Sequence, residues 1–224
     1  EVVVPSLNKS AWIRPYYVKE EKVLLIAMES NDSKIITKAT TDMVDACLEG
    51  IDTKVLTAFD YEYLFMYLRS ISVGETSTVF GTCTECQGQN EITIDLTKVE
   101  ITPFDSPKTI QLTKDISIEI RYPPLQNILN NDSILNAESY TDRTLHSVVE
   151  CMHSVQTAEE LILFKNETYE EIIEFIDSFT VEQFKQLREF VDNVPTVALA
   201  HAFTCTNCGH ENNLLLEGVQ DFFE

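Results

Sequence analysis

Two Cys-x-x-Cys pairs, and the distance between them, constrain this chain more than any other feature. Thr82-Cys83-Thr84-Glu85-Cys86 runs into Gln87-Gly88-Gln89-Asn90, and Thr204-Cys205-Thr206-Asn207-Cys208 runs into Gly209-His210-Glu211-Asn212. Each pair lies between two strand-like segments, with a glycine just beyond the second cysteine. This is the pattern of a zinc knuckle, a hairpin whose turn aims two thiolates at one ion about 2.3 Å away. One knuckle supplies two ligands and tetrahedral zinc takes four. The reading is therefore one structural zinc per chain, held by Cys83, Cys86, Cys205 and Cys208. The pairs are separated by 118 residues, 87 to 204. A shared ion would fasten the middle of the chain to its end, and clips that close long loops remove the most unfolded-state entropy.

Other uses of the cysteines fit less well. Two separate sites would need further ligands; His210 could serve the second pair, but no histidine lies near the first. A redox Cys-x-x-Cys sits at a helix N-terminus, which lowers its thiol pKa. Here both pairs lie between strands, and the acidic chain is expected to raise those pKa values. Two disulfides would suit a secreted protein, and Glu1-Val2-Val3-Val4-Pro5 lacks the basic start and long apolar stretch of a secretion signal. Cys47 and Cys151 fall on apolar helix faces and read as buried core thiols.

The rest of the chain alternates between strand and helix patterns. Val2-Val3-Val4 and Trp12 to Tyr16 read as short extended pieces. A helix is expected from Val18, then a turn and cap at Asn31-Asp32-Ser33, then a second helix ending at Gly50. Asp60 is expected to N-cap a third, whose Tyr61, Leu64, Phe65, Leu68 and Ile71 recur at helical spacing and mark a core face. Thr76–Phe80, Ile92–Leu96, Ile110–Leu112 and Ile116–Ile120 are strand-like. Leu145, Val148, Val149, Met152 and Val155 form one apolar helical stripe, which places His146 and His153 on the same helix. Thr168 and Thr180 open capping boxes. Residues 157–192 carry ten acids and three bases, read mainly as a solvated helix face. Short strands are expected at Thr196–Thr204 and Leu214–Leu216, and Phe222 and Phe223 read as core packed back on the knuckles rather than as a docking tail. The fold class is α+β: helical N- and C-terminal parts around a small antiparallel sheet, with two knuckle hairpins sharing one four-cysteine site. Four segments, 1–74, 75–122, 123–194 and 195–224, are read as one integrated domain.

Composition narrows the function. Sixteen Lys and Arg face 37 Asp and Glu, a net charge of −21. Binding to nucleic acid draws on basic residues that displace counterions, so DNA and RNA are excluded as partners. An anionic membrane surface is disfavoured for the same reason, and no apolar run approaches the roughly 20 residues of a membrane span. A cytosolic setting is expected. No His-Glu-x-x-His, Gly-x-Ser-x-Gly, phosphate loop or dinucleotide fingerprint occurs, and six glycines leave little material for a nucleotide cradle. A closed site of four thiolates has no open position for substrate. The chain reads as a non-enzyme that works by protein contacts.

Features in order along the whole chain resemble a known family. They are Pro5-Ser6; Val18-Lys19-Glu20-Glu21-Lys22 leading to Leu24-Leu25; Asp60, Leu64, Leu68-Arg69-Ser70 and Gly74; the first cysteine pair; Pro195; Cys205-x-x-Cys208-Gly209; Gly218-Val219; and Phe222-Phe223. Together they are similar to the baseplate hub assembly proteins of T-even-type myoviruses. The resemblance implies a structural or assembly role in the central baseplate hub, other baseplate or tail hub proteins as partners, and no catalysis. It places the protein in the host cytoplasm during assembly, or in the tail baseplate of the virion. The charge leaves one reading of a different class open: an acidic DNA mimic or inhibitor that occupies a basic nucleic-acid-binding partner.

Overall fold

The computed structural model describes residues 1–30 and 32–222, so Asn31, Phe223 and Glu224 lie outside the described residues. In chain order the elements begin β1 (Val2–Val4), β2 (Lys9–Ile13), α1 (Val18–Glu29), α2 (Ser33–Cys47), β3 (Leu48–Glu49) and α3 (Ala58–Ser72). Then come β4 (Thr76–Thr82), β5 (Gln89–Asp95), β6 (Glu100–Ile101), β7 (Lys108–Gln111) and β8 (Ser117–Ile120). Three helices follow, α4 (Leu125–Asn130), α5 (Asp132–Leu135) and α6 (Tyr140–Cys151), then β9 (Met152–Gln156) and β10 (Leu161–Leu163). The chain closes with α7 (Tyr169–Asp177), α8 (Val181–Asp192), β11 (Val197–Thr204) and β12 (Glu211–Glu217). The class is mixed helix and antiparallel sheet, as expected, but the described residues form four small sheets rather than one. Among the described residues no helix is long and apolar enough to cross a membrane.

The residues gather into two compact units. The first takes the chain up to Thr102 and resumes at Pro195; the second is Pro103–Val194. In the first unit α3 is the central helix, touching β1, α2, β6 and β11. Tyr61, Leu64, Phe65 and Leu68 are buried as their spacing predicts, but Ile71 is exposed and Met66 is buried instead, because neighbours cover more than one side of the helix. The helix start also differs from expectation. Thr57 is the N-cap, and Asp60 sits three residues on as the returning arm of a capping box. The Asp60 carboxyl, fully buried, accepts from Thr57 N and Thr57 Oγ1, both at 2.8 Å. It also accepts from Ser6 N at 2.9 Å and Ser6 Oγ at 2.6 Å. One side chain thus caps a helix and ties the start of the chain to it.

The point where the chain leaves the first unit lies beside the point where it returns. Thr102 N donates to Thr196 O at 2.9 Å, and Thr196 N donates to Thr102 Oγ1 at 3.1 Å. β6 pairs with β11 through Val197 and Ile101. Glu62 of α3 accepts from Thr196 Oγ1 at 2.6 Å and Val197 N at 3.1 Å, fixing the first residues of β11.

The second unit is a four-stranded antiparallel sheet in the order β10-β9-β8-β7. Ile110, Ile118, Ile120 and Val155 of the sheet share a core with Val148, Ile172, Ile176, Leu187 and Phe190 of the helices. The predicted capping boxes are present: Thr168 with Glu171 on α7 and Thr180 with Gln183 on α8. The predicted helix over Leu145–Val155 is not continuous. It stops at Cys151, and Met152–Gln156 becomes β9, paired with β8 in the register Ile118↔Val155 and Ile120↔Met152. Val148, Met152 and Val155 fit a helical stripe, yet the open edge of β8 recruits the last two as a strand; tertiary pairing overrides local period. His146 and His153 are therefore on different elements.

Replacing Asp60 with Ala should leave the half-buried N–H of Ser6 and the buried N–H of Thr57 without their acceptor. We expect a loss of about 3 kcal/mol, the usual scale for charge-assisted bonds with buried donors left behind. Urea denaturation followed by circular dichroism would measure it, and a change within 0.5 kcal/mol (about the scatter of neutral surface substitutions) would contradict the role assigned to this side chain.

Candidate metal centre

The two cysteine pairs occupy the turns of two antiparallel hairpins, β4–β5 and β11–β12. The turns are built alike. Cys83 N donates to Gly88 O at 2.9 Å and Gln87 N to Cys83 O at 3.0 Å; Cys205 N donates to His210 O at 2.8 Å and Gly209 N to Cys205 O at 2.9 Å. Both turns put the fourth residue after the first cysteine in the left-handed region, Gln87 at φ 58 and Gly209 at φ 75. Glycine meets that need without strain in the second turn, whereas Gln87 adopts it despite its Cβ. Gly88 serves a different purpose: a Cβ there would lie 3.2 Å from Cys86 Sγ.

The hairpins face one another. A Cβ on Gly81 of β4 would stand 3.3 Å from the ring of Phe203 on β11, so the strands approach through a glycine and an aromatic ring. At the tips, Cys83 Sγ lies 3.7 Å from Cys208 Sγ, and Cys86 Sγ lies 3.6 Å from Cys205 Sγ. All four sulfurs are within 4.8 Å of one another and could hold a metal ion. Arms of about 2.3 Å from a tetrahedral ion place sulfurs about 3.8 Å apart, close to these separations. They are far beyond the roughly 2.05 Å of a disulfide, and all six cysteines are free thiols. Among the described residues no histidine or carboxylate joins the group, so His210 is not a ligand candidate in this geometry.

Two asparagines, not singled out by the sequence reading, cross between the hairpins. Asn212 Oδ1 accepts from Thr84 N and Thr84 Oγ1, both at 3.0 Å, and its Nδ2 donates to Cys83 Sγ at 3.5 Å. Asn90 Oδ1 accepts from Thr206 N at 2.8 Å and Thr206 Oγ1 at 3.0 Å, and its Nδ2 donates to Cys205 Sγ at 3.6 Å. The signal was present as a longer repeat: Cys-Thr-x-Cys-x-x-x-Asn runs from Cys83 to Asn90 and again from Cys205 to Asn212. A third amide, Asn207 Nδ2, donates to Cys86 Sγ at 3.5 Å and has no counterpart in the first turn, where Glu85 holds that position.

Comparison with known proteins shows the family. The model of the family described as T4 bacteriophage base plate protein matches residues 1–224. The chain belongs to that family. It is also similar to the "Baseplate hub assembly protein gp26" of Enterobacteria phage T4, 23% identical over 213 residues, which cover 94% of this chain and 91% of that protein. No solved structure matches it.

The electrostatics of this baseplate protein correct one expectation. Its acidic composition does not raise all the cluster thiols. Backbone N–H groups of Cys86 and Glu85 hold Cys83 below the ordinary thiol range against the effect of burial, with help from Asn212 and Cys208. Backbone N–H groups of Cys208 and Asn207, with Asn90 and Cys86, bring Cys205 down to about 6. Fixed dipoles a few ångströms away outweigh dispersed, screened surface charge. Cys208 goes the other way. The His210 N–H favours its thiolate, but the Cys86 sulfur, burial, and the sulfurs of Cys205 and Cys83 together push it up to about 12. Four thiolates this close cannot all ionise unless a cation joins them. Away from the cluster, Cys47 and Cys151 are buried, as read from the sequence; burial pushes the Cys151 thiol to about 12.

A metal ion bound by all four sulfurs must expel the Cys208 proton at any pH below about 12. Affinity of the chelator-treated protein for Co2+ should therefore rise at least about tenfold per pH unit between pH 7 and 9, because each proton released adds one to that slope. Titration by absorbance would measure this, and a flat profile would rule out four-thiolate binding.

Proposed function

We propose that this baseplate protein is a component or assembly factor of the central hub, acting through contacts with other baseplate proteins and carrying out no reaction. The similarity to a hub assembly protein over nearly the whole of both chains is the observation that supports this reading. The host cytoplasm would be its site of action during assembly, and the tail baseplate its place if it stays with the particle. We further propose that Cys83, Cys86, Cys205 and Cys208 hold one structural zinc. Four free sulfurs within 4.8 Å of one another are what supports that ion, since thiolate ligands in such a set suit zinc. The ion would supply a tether rather than chemistry, because four protein ligands leave no open position.

The second reading, an acidic mimic that occupies a partner's nucleic-acid site, draws on the net charge of −21. Affinity purification of the tagged full chain from phage-infected cells separates the two. Recovery of other hub proteins, with baseplates stalled at the hub stage when the chain is missing, supports the hub reading. Recovery of a nuclease or polymerase blocked from its DNA would replace that reading with the mimic.

Zinc analysis should find about one ion per chain, as in closed structural sites. Cys83→Ser and Cys205→Ser should each lose most of the metal and destabilise the protein to a similar degree. Structural zinc contributes about 10–16 kcal/mol in apparent terms, so one lost ligand is large against a marginal folding stability. The double mutant should be little worse than either single one, because the shared interaction is already broken. Additive effects, with half the metal kept in each single mutant, would show two independent sites.

A further inference from the structure

We propose that Asn90 and Asn212 are positioning residues that make the four-sulfur site a joint property of the two hairpins, each amide ordering the knuckle and tuning the thiolate of the opposite one. The inference rests on the metal-binding reading above and adds residues that hold no ion themselves.

The argument begins with the hydrogen-bonding capacity of the amide. Asparagine offers one oxygen that accepts two bonds and one nitrogen that donates two. Both side chains are buried, Asn90 at 3% exposure and Asn212 at 6%, where any unmade bond is costly. Asn90 uses all four: two acceptances from Thr206, one donation to Gly88 O at 2.9 Å and one to Cys205 Sγ. Asn212 repeats the set with Thr84, His210 O at 3.0 Å and Cys83 Sγ. In each case the bond to a backbone carbonyl lies within the asparagine's own hairpin, while the other three reach across. A hairpin alone would leave its asparagine with most of its partners missing and its own threonine N–H unserved. The exchange therefore favours both hairpins closing together over either forming a two-sulfur half by itself.

The choice of sulfur is also specific. The amides donate to Cys83 and Cys205, the first cysteine of each pair and the most buried of the four. These thiolates have the least access to water as a donor. An N–H···S bond withdraws electron density from a sulfur that shares its charge with three others, and it fixes the side chain before an ion arrives. Partners of this kind, one bond removed from the ligand atom, set affinity by about 10–100-fold in metal sites generally. Glutamine would be too long to hold the four contacts, leucine would offer none of them, and aspartate would keep the two acceptances but set a negative oxygen against a thiolate.

The test uses the full chain as wild type, Asn90→Asp and Asn212→Asp, with Asn90→Ala and Asn212→Ala in case an aspartate variant does not fold. Zinc affinity is read by competition with a chromophoric chelator, and the environment of the sulfurs by thiolate-to-metal charge-transfer bands after loading with Co2+. Each variant should bind zinc about 10–100-fold more weakly than wild type, and the two positions should match. The bands should move to lower energy, because a sulfur that loses its N–H donor holds its lone pairs less tightly. Thr84→Val removes a hydroxyl from Asn212 and leaves the N–H···S bond in place, so it should leave the bands unmoved. A wild type that binds one ion through four thiolates, with aspartate and alanine variants of equal affinity and unshifted bands, would overturn the proposal and leave the zinc reading standing. A wild type that binds no ion would overturn both.

Discussion

Everything in the first unit turns on a crowding problem. Four sulfur atoms are brought within 4.8 Å of one another from two turns far apart in the chain. Neutral thiols could tolerate that separation, but the turns also aim backbone N–H groups at Cys83 and Cys205 and so favour the negative form of those two sulfurs. The fold thus prepares charge that the cluster cannot hold alone, and Cys208 keeps its proton as the outlet. A cation held by the four sulfurs, as proposed, would resolve the conflict and tie hairpin shape, electrostatics and ligand type to one arrangement. The asparagine exchange and the Gly81–Phe203 contact hold the two hairpins in the same relation from behind the tips.

The site was legible in the sequence where chemistry is local. A Cys-x-x-Cys turn between strands fixes its own geometry, so Cys83 could be paired with Cys86 and Cys205 with Cys208 without knowing the fold, and the expectation that the pairs meet came from the four ligands a tetrahedral ion takes. The asparagines were harder, because Asn90 means nothing until Asn212 is set in the same frame. Only the longer repeat, extended four residues past the second cysteine, reveals them. The pKa expectation failed for a related reason. Net charge is a property of the whole chain, whereas Cys205 answers to the N–H groups of Cys208 and Asn207 at its own turn.

The same division runs through the fold. Capping boxes at Thr168 and Thr180 were read correctly because all their parts lie within four residues. At α3 the box was present but displaced: Asp60 attracted attention as a good cap, and Thr57 three residues earlier holds that position. Beyond Cys151 the apolar spacing of Met152 and Val155 suited a helix, and no local signal told of the free edge of β8 that claims them. Ser6 and Asp60 were both noted as family features, yet the bond between them spans most of the first unit's N-terminal part and is visible only in three dimensions.

The clasp at Thr102 and Thr196 has a consequence for how such a chain can change over time. A segment whose two ends are already hydrogen-bonded side by side is closed by the unit it leaves, whatever its length. Lengthening it costs only a slowly growing entropy term, about 0.6 kcal/mol for each doubling. Residues 103–194 are in this sense a cassette on a fixed mount. Its length can change without moving the residues that clasp its ends, so the hairpins and central helix of the first unit need not change shape with it.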